Sequence, residues 1–184
     1  AYAMYKLRAL DPEAVAVVTP SDQYIGNEVA FERIMRDCLD FAATRSVLLT
    51  VGISPTYPAT GYGYIQAHRE SGQEFTPVVR FKEKPDSRTA MAYLSEGNYY
   101  WNSGMFVWSV SAIVEALGLY LPEVAGLFES VGAAYNTPME RTLVNEAFTA
   151  CPAISIDYGV MEKSDKVYVR CTNDLAWSDV GSWG

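Results

Sequence analysis

Cysteine is scarce in this chain. Three residues in 184, Cys38, Cys151 and Cys171, form no C-x-x-C pair. An odd, widely spaced set neither frames a disulfide scaffold nor gives zinc-ligand spacing, so free thiols in a reducing cytosol are expected. Histidine is scarcer still: His68 stands alone beside Arg69 and Glu70 in a polar turn, where no catalytic duty is expected. Lysine and arginine total 14 against 22 acidic residues, a formal charge of −8. That balance excludes a nucleic-acid groove, which needs a basic stripe. It does not exclude phosphorylated small ligands, because one metal ion and one or two lysines neutralise those locally. No apolar run approaches the ~20 residues of a spanning helix, so no membrane partner is expected, and no signal peptide is visible. A dinucleotide-type glycine loop is also missing: Gly61 and Gly63 form a close pair, but Gln66 breaks the G-x-G-x-x-G pattern.

What remains is a globular composition, 49% apolar and 20% charged, of one-domain length. The Val-rich run at 14–18 reads as a strand buried on both faces, the kind found in parallel sheets. Residues 28–43 carry a helical apolar stripe, and 46–51 are a second buried-strand candidate. This strand, helix, strand order makes a βαβ unit and sets an α/β class. Segments 62–67 and 75–82 read as a hairpin across the turn 69–73. Helices are expected over 87–95, capped by Asp86 and ended by Gly97, and over 111–119, 122–133 and 138–149. The last of these has Thr137 and Glu140 as a capping box with Pro138 at its first position. Strands are expected at 105–109 and 166–171.

Two loops draw attention. In Ala176-Trp177-Ser178-Asp179-Val180-Gly181-Ser182-Trp183 a carboxylate lies between two tryptophans in a small-residue turn. Such a loop presents Asp179 to a ligand, or else forms a buried aromatic corner capped by an aspartate. In Thr19-Pro20-Ser21-Asp22-Gln23 an aspartate follows the first strand, where open α/β sheets bind ligands. Asp22 is a candidate metal ligand there, or the N-cap of the next helix.

Six segments occur in order: PSDQYI from Pro20, TGYGYI from Thr60, FKEKP from Phe81, YWNSGMF from Tyr100, SIDYGVMEK from Ser155 and WSDVGSW from Trp177. Together they resemble the sugar-nucleotide pyrophosphorylase family, most closely its mannose-1-phosphate guanylyltransferase branch. The resemblance implies a Rossmann-like nucleotide-diphospho-sugar transferase fold, a mixed and mostly parallel sheet flanked by helices. It implies GTP and mannose 1-phosphate as substrates, GDP-mannose and pyrophosphate as products, and Mg2+ as cofactor. By the same resemblance Asp22 and Asp179 hold the metal. Glu83 accepts from sugar hydroxyls and Lys84 meets the sugar phosphate, roles that suit an acceptor-only carboxylate and a compact ammonium. Adjacent strand residues face opposite ways, so both reach one pocket only if the strand twists or bulges before Pro85. The alternative is a solvated charge run on an edge strand.

Gly61 and Gly63 would let the backbone approach a sugar ring closely, with a plain turn as the competing reading for each. Asn102 would bind a sugar hydroxyl, or serve a β-turn, and Asp157 would support or contact the sugar, or cap a helix. The family's Gly-rich nucleotide loop has no counterpart here. Residues 1–184 are therefore expected to be a partial nucleotidyltransferase domain, incomplete at the N-terminus and inactive by itself. Any uncovered sheet edge would be open to self-association into a homo-oligomer. Two other functions stay open: a pyrophosphorylase for another sugar or base, and a non-catalytic sugar-phosphate-binding module.

Overall fold

In the computed structural model, which describes residues 1–68 and 73–180, one long strand organises the sheet. Strand β6 (Tyr99–Ser109) pairs with β1 (Val15–Val18), β3 (Leu48–Ile53) and β4 (Tyr64–Ala67), all antiparallel. Beyond β3 lie β7 (Val167–Thr172) and β5 (Phe75–Lys82), and β5 pairs with β4. Because β4 returns to β6, the chain of pairings closes on itself and encloses a small core of Ile65, Ala67 and Val169. The α/β class holds, but the expected parallel character does not. Only β3 with β7 runs parallel among the described pairings. Strands β1 and β3 are parallel to one another with β6 between them, so the crossover through α2 (Glu28–Ala43) skips a strand.

Strand β3 is buried at every position because both faces of the sheet are covered. Leu48, Phe106 and Trp108 face α1 (Tyr2–Leu10), α4 (Val110–Tyr120), α5 (Pro122–Glu129) and α6 (Glu140–Ala150), where Ile113, Leu117 and Phe128 complete the core. Leu49, Val51 and Val107 face the opposite way, onto Ile34 and Cys38 of α2 and Tyr93 of α3 (Ser87–Glu96). That alternation is the period of two of a strand. Each fully buried large side chain contributes about 1.5–3 kcal/mol.

The run at 14–18 departs from expectation. Its strand has β6 on one side and no second neighbour among the described residues, and Val17 and Val18 are each 37% exposed. Apolar composition reports burial tendency, not the number of partners a strand finds. Two helix ends are as read, with Asp86 accepting from the Thr89 N–H and Gly97 ending α3 with φ of 74°; α2 is capped by Asn27, which accepts from the Ala30 N–H and was not singled out in the sequence. The capping box is rearranged. Helix α6 starts at Glu140, whose carboxylate accepts the Asn136 N–H at 2.7 Å, the Lys6 ammonium at 2.7 Å and the Tyr2 hydroxyl. These partners sit on α1 and in the preceding turn, so tertiary contacts outcompete the local box.

Candidate active site

Glu83, Asn102, Asp157, Asp22 and Asp179 line one cavity of about 270 Å3, though they come from separate parts of the chain. Asp22 and Asp179 arrive on a ribbon apart from the main sheet, where β2 (Gln23–Ile25) pairs antiparallel with β8 (Trp177–Asp179). Gln23 is directly opposite Asp179, and the Asp22 carbonyl accepts the Val180 N–H at 3.4 Å. Asp22 is thus a residue of the ribbon's edge and not a helix cap, since Asn27 caps α2. Trp177 packs on Tyr62 and Trp101 with ring centroids 5.5 and 6.4 Å apart. Gly181, Ser182 and Trp183 lie outside the described residues, as do Arg69, Glu70, Ser71 and Gly72 of the turn 69–73.

The second wall is the open end of the β4–β5 hairpin. Tyr64 pairs with Lys82, which puts Gly63 and Glu83 side by side just past the ladder. A Cβ on Gly63 would sit 2.6 Å from Glu83 Oε2, so a side chain here would have to displace that carboxylate. Gly61 lines the cavity too, but a Cβ there would meet nothing within 4 Å. The local packing thus constrains Gly63, through the Glu83 carboxylate, and leaves Gly61 unconstrained.

The Glu83–Lys84 pair separates. Strand β5 ends at Lys82, Lys84 takes a left-handed backbone with φ of 35°, and it is exposed and not among the cavity-lining residues. Its charge still reaches Glu83. Burial raises the Glu83 carboxyl above its ordinary value, and the Asp157 and Glu162 charges push the same way against Lys84.

The third wall is a wide bulge in β6. Gly52 pairs with Asn102 and Thr50 with Phe106, so Val51 alone spans Ser103, Gly104 and Met105. Buried hydroxyls replace the lost ladder bonds: Ser103 Oγ donates to the Val51 carbonyl at 2.6 Å and accepts the Met105 N–H at 3.2 Å. Gly104 supplies the φ of 72° that the bulge needs. Asn102 is held at both ends of its amide. Its oxygen accepts the Gly104 N–H at 3.2 Å, and its nitrogen donates to Asp157 Oδ1 at 2.8 Å. One amide N–H of Asn102 remains for a ligand. Asp157 belongs to a single π-type turn, Asp157–Met161, whose Tyr158 N–H is taken by Ser155 Oγ at 3.4 Å, so the helix-cap reading of Asp157 gives way.

Among the described residues no group of three or more His, Cys, Asp or Glu could hold a metal ion. Two carboxylates facing one cavity suit a hard cation that keeps water and takes further oxygens from a phosphate, as magnesium does, and do not suit zinc. His68 is exposed, and the three cysteines are free thiols. Sequence reasoning did not single out Gln23, Ser103 or Pro20, all of which line the cavity; their roles depend on the bulge, which has no local signature.

The structure is thus a helix-flanked mixed sheet with an acidic, polar cavity where the ribbon meets the hairpin. The family model described as Nucleotidyl transferase matches residues 1–184, and the chain belongs to that family. It is 40% identical over 173 residues to a mannose-1-phosphate guanylyltransferase of Sinorhizobium fredii, covering 93% of this chain and 33% of that protein. It is 39% identical to a mannose-1-phosphate guanylyltransferase of Escherichia coli K12, covering 97% of this chain and 38% of that one. A solved Thermus thermophilus structure, described as a mannose-1-phosphate geranyltransferase, superposes with a TM-score of 0.83 at 32% identity. That match covers 97% of this chain and 50% of the Thermus chain. The chain thus spans about a third of the length of its curated relatives. No described helix is long and apolar enough to cross a membrane.

Proposed function

We propose that the protein carrying this chain is a mannose-1-phosphate guanylyltransferase, and that residues 1–184 hold its sugar-phosphate and metal half. In the reaction a phosphate oxygen of mannose 1-phosphate attacks the α-phosphorus of GTP. A new P–O bond forms, the α–β bridging P–O bond breaks, and pyrophosphate leaves with the electron pair. Such a transfer needs positioning and charge neutralisation more than covalent help from protein. Asp22 and Asp179 would hold magnesium, which when bound neutralises phosphate charge. Glu83 and the free oxygen of Asp157 accept from sugar hydroxyls, while the remaining Asn102 N–H donates to one. Lys84, outside the cavity, is assigned to the sugar phosphate as it enters. The reading draws support from one observation above all: five polar residues from distant segments meet in a single cavity.

Calorimetric titration of the protein with mannose 1-phosphate, with and without magnesium, tests it. Magnesium should tighten binding, and Asp22→Asn or Asp179→Asn should remove that gain. Binding no tighter than that of inorganic phosphate would overturn the proposal. Pyrophosphate release across a panel of nucleoside triphosphates assigns the base.

A further inference from the structure

The ribbon that bears Asp22 and Asp179 has three residues in each strand, too few to hold its own position. Its base is tied at Gly26, whose N–H meets the Leu175 and Ala176 carbonyls at 3.1 and 3.2 Å. At the cavity end, the Gln23 side-chain amide donates to the Ser103 carbonyl. That carbonyl belongs to the bulge, where Ser103 is 2% exposed and has no ladder partner on β3. The same bulge places Asn102 one residue earlier, and Gly104 one residue later sits against Pro20, with a would-be Cβ only 3.1 Å from Pro20 Cγ. Gln23 is itself the cross-strand partner of Asp179 and the chain neighbour of Asp22.

We infer that Gln23 is a positioning residue that locks the Asp22–Asp179 ribbon to the bulge carrying Asn102. It thereby sets the spacing between the metal carboxylates and the sugar-binding groups. The inference rests on the proposed function, because it concerns the same cavity. An amide donor to a buried carbonyl suits such a lock, since it fixes distance without adding charge beside two carboxylates that must meet a cation. A role confined to fold stability would lower both binding terms together; a positioning role separates them.

The test uses Gln23→Met and Gln23→Leu, which keep bulk and remove the donor. Both variants should bind mannose 1-phosphate without magnesium as the wild type does. Their magnesium-dependent gain in affinity should fall about fivefold, the effect of one lost hydrogen bond. Melting without ligand should fall by only a few degrees, the effect of leaving the Ser103 carbonyl unpaired. An unchanged magnesium gain would overturn the inference and leave the proposed function standing. Absence of any sugar-phosphate binding by the wild type would overturn both. Equal loss in the two binding terms would make Gln23 merely structural and overturn the inference alone. The wild type gives an independent check by nuclear magnetic resonance: the Gln23 side-chain amide should exchange slowly with water. Solvent-like exchange would also count against the lock.

Discussion

Glu83 Oε2 occupies the space beside the Gly63 backbone into which any side chain at 63 would project, 2.6 Å from an ideal Cβ. The glycine therefore lets a carboxylate lie against the hairpin end and face the cavity. Gly63→Ala should displace the carboxylate and weaken mannose 1-phosphate binding about tenfold, the loss of one charge-assisted contact. The fold should be nearly unaffected, because the clashing atom is the end of a flexible side chain. Titration alongside a thermal melt checks this; equal binding would show that the Glu83 position is unimportant.

The electrostatics of that carboxylate give a pH dependence. Burial, and then the Asp157 charge, raise the Glu83 carboxyl, so its acceptor form appears at a higher pH than for a free glutamate. Sugar-phosphate affinity should rise as pH climbs through that raised value. Asp157→Asn removes a neighbouring charge, and the midpoint of the rise should move to lower pH. Binding curves across the acid-to-neutral range on both proteins decide it, and coincident midpoints would dissociate the two carboxylates.

The legible parts of the fold were those decided locally. Helix α2 shows its apolar spacing and runs over the expected residues, Glu28–Ala43. Helix α1 was missed because no side chain caps it and it buries just Met4 and Tyr5. The 105–109 strand proved to begin at Tyr99, since pairing with β4 extends it through the motif Trp101-Asn102-Ser103-Gly104. The ordered motifs pointed to polar residues of which five line one cavity, but their arrangement was not legible. Whether Glu83 and Lys84 share a pocket depends on one backbone angle at Lys84, and what orients Asn102 depends on a bulge created by pairing with β3.

Glu140 makes acid stability testable. Hydrogen bonds from Lys6, Tyr2 and the Asn136 N–H hold its carboxyl down to about 2, below the ordinary 4.5. A depressed folded value contributes stability that is present above the unfolded value and lost as pH falls through the folded one. Glu140→Gln should destabilise the protein at neutral pH, and the gap to the wild type should close between pH 4.5 and 2. Urea unfolding across that range measures it, and a gap independent of pH would mean the lost term is packing.

Gly52 lies on β3 beside the bulge of β6, and an added Cβ there would stand 2.7 Å from Val169 Cγ2 and 2.9 Å from Tyr100 Cβ. Both neighbours belong to the sheet and cannot swing aside, unlike the carboxylate at Gly63. Gly52→Ala should cost about 1–3 kcal/mol of stability by overpacking. Chemical denaturation with an unchanged midpoint would show that the strands separate freely there.

The Asn102–Asp157 hydrogen bond joins the bulge of β6 to the π-type turn, two elements with no ladder between them. The acceptor is a carboxylate, so the bond is charge-assisted and worth about 1.5–3 kcal/mol when half-buried. Removing either partner leaves the other without its mate, so Asn102→Ala and Asp157→Ala should each weaken sugar-phosphate binding. The double variant should lose less than the sum of the two, because the second change removes a group already unpaired. The same cycle run on stability should give a smaller coupling than the one run on binding if the pair serves to aim the Asn102 amide. A ligand needs that amide in one orientation, whereas the unliganded protein can rotate it toward water. Equal coupling in the two cycles would make the bond a structural tie between β6 and the turn. Additive binding losses would show that the two residues meet the sugar independently.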